Sequence, residues 1–145
     1  MAKVRKFLCL TVLTLLFSAL VTSPTFAASS VSNWHVDLTS TEPVDVGQSF
    51  SVEAGSTVTL RVDQYVKDSN GTEDKTKAAN VTYYLYNVVT GDDSFSFPVW
   101  KSAGGAHGDP AECHFLGVKK GTYVFKAKNN ISSTVATGGN VYVGK

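Results

Sequence analysis

The residues best equipped for chemistry lie in one short stretch, His107-Gly-Asp109-Pro-Ala-Glu112-Cys113-His114. It holds two of the three histidines and two carboxylates. A metal ion would need three or four of these side chains to converge, so His107, Asp109, Glu112 and His114 are the candidate ligands. If residues 112 to 115 are extended, Glu112 and His114 share one face, and Cys113 and Phe115 share the other. Cys113 is then a small core residue. His107 or Asp109 must fold back over the Gly108-Pro110 turn to complete a site. A Cys/His nucleophile pair fits poorly, because neighbours in a strand point apart. The chain also lacks a Gly-x-Ser-x-Gly elbow, a His-Glu-x-x-His pair and a Ser-x-x-Lys motif. The expectation is a protein that is not an enzyme.

A second acidic stretch, Asp68-Ser-Asn70-Gly71-Thr-Glu73-Asp74, has the spacing of a loose calcium loop. The twelfth position from Asp68 is Ala79 where a helix-loop-helix site needs Glu, so the plain expectation is a charged hairpin loop. The third group is aromatic. In Val81-Thr-Tyr-Tyr-Leu-Tyr86, alternation puts Val81, Tyr83 and Leu85 on one face and Tyr84 and Tyr86 on the other. If the first set is buried, two tyrosines face outward together, near Trp100 or Trp34. Flat exposed rings of this kind hold sugars or partner proteins.

These groups need strands to position them, and strands are what the pattern supplies. Beyond Ala28 apolar and polar residues alternate, with turn residues about every ten positions. Strands are expected at Trp34 to Leu38, around Phe50 to Val52, and at Val58 to Val62 and Val81 to Tyr86. Others follow at Phe95 to Trp100, Cys113 to Val118, Thr122 to Lys128, and Thr134 to Val143 with a bend at Gly138-Gly139. Pro98 cannot donate to a ladder, which makes Phe95 to Trp100 an edge strand. The fold class is therefore all-β: an antiparallel β-sandwich or jelly roll of about eight strands.

The stretches Phe50-Ser-Val-Glu-Ala-Gly-Ser-Thr-Val-Thr-Leu, Tyr83-Tyr-Leu-Tyr and Lys119-Lys-Gly-Thr-Tyr-Val-Phe-Lys-Ala resemble the accessory β-sandwich domains of bacterial secreted peptidases, the pre-peptidase C-terminal-like domains. The resemblance spans roughly residues 48 to 143 and implies a sandwich fold. The acidic residue those domains carry before the central strand is replaced here by Asn80-Val81-Thr82.

The N-terminus reads as an export signal. Lys3, Arg5 and Lys6 precede an apolar run from Phe7 to Val21, and Pro24 leads into Thr25-Phe26-Ala27. Cleavage is expected after Ala27, leaving one domain over residues 28 to 145. The apolar run is shorter than the roughly 20 residues a spanning helix needs, so no stable membrane span is expected after cleavage. The location is secreted and extracellular, and the composition suits a bacterial product.

Removing three of the 13 basic residues against 12 acids takes the formal charge from +1 to −2. With no basic stripe, nucleic-acid binding is not expected. Cys113 is the one cysteine left, so no internal disulfide forms, and two chains can join through it only if it is exposed. Three Asn-x-Ser/Thr sites stand at Asn70, Asn80 and Asn130.

Together these observations lead to a secreted, non-enzymatic binding protein for an unknown extracellular protein or glycan, with Tyr84, Tyr86, Trp100 and Trp34 as contact residues and no cofactor. The alternatives are an extracellular metal-binding protein using the 107–114 cluster, and a self-assembling matrix or spore-surface protein.

Overall fold

The computed structural model describes residues 29–101 and 110–145. Eight strands account for most of them: β1 (Ser32–Leu38), β2 (Val44–Val52), β3 (Ser56–Val66), β4 (Ala79–Asn87), β5 (Asp93–Lys101), β6 (Ala111–Val118), β7 (Gly121–Asn129) and β8 (Val135–Gly144). They form two four-stranded antiparallel sheets, ordered β1-β8-β3-β6 and β2-β7-β4-β5. Successive strands alternate between the sheets except for β4 and β5, which are hairpin neighbours in one sheet, and β1/β8 and β2/β7 pair across nearly the whole chain. This is the jelly-roll order.

The alternation in the sequence becomes the core. Val58, Leu60, Val62 and Val66 of β3 are buried, as are Val81, Tyr83 and Leu85 of β4 and Tyr123, Phe125 and Ala127 of β7. Their neighbours in sequence face outward, because side chains on a strand point to opposite faces in turn. β5 is an edge strand that pairs only with β4, with Pro98 opposite Thr82.

Two elements differ from the sequence expectation. β2 begins at Val44, six residues before the alternation is evident. Its ladder to β7 shifts register between Val46 and Phe50. Gly47 sits in this irregularity with φ of 74°, and the extra residues obscure the period of two. β8 also runs without interruption through Gly138-Gly139, keeping its ladders to both β1 and β3. The glycine pair makes room for a neighbour and does not end the pairing.

That neighbour is Trp34. It lies opposite Gly139 across the β1/β8 ladder. A Cβ on Gly139 would fall within 2.3–2.8 Å of three indole atoms, and one on Gly47 would lie 3.2 Å from the ring. The indole fills this slot and packs against Tyr83 and Phe125 of the other sheet, at centroid separations of 6.2 and 6.3 Å.

A buried polar bridge crosses the same interior. The Gln64 amide donates from Nε2 to the Val99 carbonyl at 2.9 Å. Its Oε1 accepts from the Tyr83 hydroxyl at 2.9 Å, and that hydroxyl lies 2.6 Å from Thr137 Oγ1. β3, β4, β5 and β8 are thereby tied together. Each group has a partner, so the cost of burying it is met. Burial also pushes the Tyr83 phenol well above its ordinary range.

Candidate functional site

The outer face of the β2-β7-β4-β5 sheet carries the aromatic group. With Val81, Tyr83 and Leu85 at 0% exposure, Thr82, Tyr84 and Tyr86 are turned outward. β7 places Lys126 opposite Tyr84 and Lys128 opposite Thr82. β5 places Trp100 opposite Asn80, and its indole is 71% exposed. Tyr84 lies four residues along β4 from Asn80, so Trp100 and Tyr84 stand about 13 Å apart at ~3.3 Å per residue. Between them Asn130 donates from Nδ2 to Asn80 Oδ1 and Thr82 Oγ1, each at 2.9 Å, which fixes the floor of the face. Asn80 is thus a structural amide, and only 8% exposed.

The members of this face are not equivalent. The Lys126 ammonium sits 3.5 Å from the Tyr86 ring centroid, a cation–π contact that occupies one side of that ring. Tyr86 serves to hold Lys126, and Tyr84 and Trp100 remain as the available flat groups. Trp34 does not join them. It points between the sheets, because β1 turns Ser32, Trp34, Val36 and Leu38 inward and leaves Asn33, His35 and Asp37 outside.

β5 also adds apolar surface that sequence reasoning missed. Phe95 and Phe97 have inward parity, yet they are 39% and 40% exposed. Phe95 packs on buried Phe115 of β6 at 5.8 Å, but β5 is the last strand of its sheet, so the Phe95 ring is not fully covered. Leu116 on β6 is 70% exposed nearby in sequence. Pro98 signals an edge strand. Nothing in the alternation tells which inward residues lie at the rim.

The 107–114 cluster divides. His107 and Asp109 lie outside the described residues. Glu112 and His114 do share the outer face of β6, and both are engaged there. Glu112 meets Arg61 Nε at 3.2 Å and His114 Nε2 at 3.3 Å, and His114 Nδ1 is 2.9 Å from Thr59 Oγ1. Among the described residues no group of three His, Cys, Asp or Glu is placed to hold a metal ion.

The 68–74 stretch forms the hairpin loop. Asp68 accepts hydrogen bonds from the Asn70 and Thr72 amides and from the Thr72 hydroxyl, which lower its pKa. Asp74 is occupied in the same way by Thr76 and by Lys77. These carboxylates cap their own turns.

Cys113 faces inward at 7% exposure, so the condition for a disulfide between two chains fails. Burial, aided by the Glu112 charge, pushes its thiol up to about 12. Native protein is therefore expected to leave Cys113 unmodified by a thiol reagent at neutral pH, over a time in which urea-unfolded protein reacts fully. The raised value also fixes the sign of a pH effect. Stability from this group is intact below the unfolded thiol's pKa, about 8.5. It declines as pH rises towards about 12. Cys113→Ala should flatten that alkaline decline, and equal alkaline slopes in the two proteins would contradict the burial.

The opposite sheet holds a feature the sequence did not announce. On the outer face of β1-β8-β3-β6, Asn33, Arg61, Asp63, Gly138, Asn140 and Tyr142 line an open hollow of about 540 Å³. It arises where Gly138 contributes no side chain between its cross-strand partners His35 and Asp63. The alternation of Arg61/Asp63 and Asn140/Tyr142 about a glycine is the signal that would have found it.

No protein-family model and no curated protein sequence matches the chain. Solved structures give distant likenesses. The periplasmic inhibitor of g-type lysozyme PliG from Aeromonas hydrophila is 11% identical over 81% of this chain and 89% of its own, with a TM-score of 0.46. The carbohydrate-binding module CBM6cm-2 of Cellvibrio mixtus lichenase 5A, solved with cellotriose, is 10% identical over 79% and 88%, with a TM-score of 0.37. The Yersinia pseudotuberculosis-derived mitogen is 14% identical over 72% and 87%, with a TM-score of 0.31. Values this low describe a likeness of outline.

Proposed function

We propose that this chain is an exported, non-enzymatic binding protein. Its contact surface is the outer face and rim of the β2-β7-β4-β5 sheet, and its partner is an extracellular protein or glycan. The observation that carries the reading is Trp100, a large ring 71% exposed on β5 with no partner ring among the described residues. Tyr84 shares its face, and Phe95 and Phe97 extend the apolar surface along the same edge strand. Exposed rings set among Lys126, Lys128 and Thr82 have the make-up of a contact surface, with apolar groups beside polar ones. Export is supported by the order of basic, apolar and small residues in positions 1–27.

Mature protein would be co-sedimented with insoluble peptidoglycan, cellulose and chitin, and cross-linked to envelope proteins of the organism that produces it. Trp100→Ala and Tyr84→Ala are each expected to weaken the binding found by about fivefold or more, as truncating a contact residue worth over ~1 kcal/mol does. Their unfolding free energies should stay within about 0.5 kcal/mol of the parent, because both changes are on the surface. Unchanged binding in both variants would remove the aromatic face from the function.

A further inference from the structure

We propose that the hollow on the β1-β8-β3-β6 sheet is a second binding site, and that it takes a neutral saccharide of one or two rings. It lies on the sheet opposite the aromatic face and does not depend on that face for its argument. Its volume of about 540 Å³ falls within the ~300–1,000 Å³ of small-molecule sites.

The chemistry of the lining selects the ligand. Asn33 and Asn140 face each other across the β1/β8 ladder, exposed, with no side-chain hydrogen bond within the described residues. Each carboxamide offers two donors and an acceptor. A hydroxyl group both gives and takes a hydrogen bond, so a paired amide floor suits a polyol. Tyr142 adds a planar ring at the border, and sugars pack their C–H faces on such rings. Arg61 and Asp63 both line the hollow, and Arg61 is paired with Glu112, so these three groups sum to one negative charge. No surplus cation remains among these groups to select a phosphate or carboxylate. Trp34 forms part of the lining from the interior side, and its indole Nε1 is buried without a hydrogen-bond acceptor among the described residues.

The test is a nuclear magnetic resonance titration of the mature protein with glucose, N-acetylglucosamine, cellobiose and chitobiose at millimolar concentrations. Inorganic phosphate serves as the comparison ligand. At least one sugar is expected to give saturable shifts at the amides of Asn33, Gly138, Gly139 and Asn140 and at the Trp34 indole N–H. Asn33→Ala and Asn140→Ala should each weaken that binding roughly fivefold, the effect of losing one hydrogen bond of ~1 kcal/mol. Trp100→Ala should leave it unchanged. Melting temperatures equal to the parent's would show that the two asparagine variants fold. Absence of any saturable shift at these amides would overturn the proposal, as would full binding in the double asparagine variant. Stronger shifts with phosphate than with every sugar would overturn the ligand class. Shifts confined to the residues around Tyr84 and Trp100 would overturn this site and leave the aromatic face standing.

Discussion

Phe125→Ala is expected to lower the unfolding free energy by about 3–5 kcal/mol, the range for truncating a buried phenylalanine. Phe125 is 1% exposed on β7, an inner strand of its sheet. Its ring lies 6.0 Å from Phe50, 5.6 Å from Phe115 and 6.3 Å from Trp34. Those rings come from β2, β6 and β1, so one side chain supports contacts in both sheets. Removing it deletes buried apolar surface and leaves a cavity that strands on both sides must collapse to fill. Small domains have only about 5–15 kcal/mol of stability in all. Cys113 has no partner cysteine among the described residues, so no cross-link offsets the loss. Urea unfolding followed by circular dichroism measures it. A loss below about 1 kcal/mol would mean that these rings are not packed as described.

Gly139→Ala is expected to destabilise by about 3 kcal/mol, at the upper end of the cost of overpacking. The added methyl would meet three atoms of the Trp34 indole at 2.3–2.8 Å. The indole is rigid and has Gly47 near it, where a Cβ would be 3.2 Å away. Tyr83 and Phe125 of the facing sheet pack against it as well. The methyl is relieved only by moving Trp34 out of its slot. In a Trp100→Phe background, where Trp34 alone reports, the native fluorescence should shift to longer wavelength as the ring meets water. Gly144→Ala is the matched control, since a methyl there meets nothing within 4 Å. Equal stability and equal emission for the Gly139 variant and this control would contradict the slot.

The contrast between Trp34 and Trp100 shows what the sequence could and could not reveal. Strand periodicity was legible because Val58/Leu60/Val62 and Tyr123/Phe125/Ala127 alternate without interruption, and the eight strands followed from that. It also placed Tyr84, Tyr86, Glu112 and His114 on outward faces correctly. Periodicity is a local property, however. It cannot say which of two sheets a strand joins, so Trp34 and Trp100 stood together as aromatic candidates although one lies between the sheets. It also cannot tell how far the inward residues of an edge strand are covered, which is why the exposure of Phe95 and Phe97 was not foreseen although Pro98 marked the edge. Gly138-Gly139 suggested a bend, since a glycine pair more often marks a turn than a seat for an indole. The hollow was invisible for a related reason: its walls come from β1, β3 and β8, brought into one row only by register.

The same contrast supplies the most direct test of the binding surface. Limited oxidation of the mature protein by a tryptophan-selective reagent should modify Trp100 first, because it is exposed while the Trp34 indole nitrogen is buried. Peptide mass mapping identifies the site, and circular dichroism confirms that the fold persists. Protein oxidised at Trp100 alone is expected to lose binding to the extracellular partner or glycan that the unmodified protein retains. Full binding after complete oxidation of Trp100 would contradict the assignment of the contact surface to the β4–β5 face.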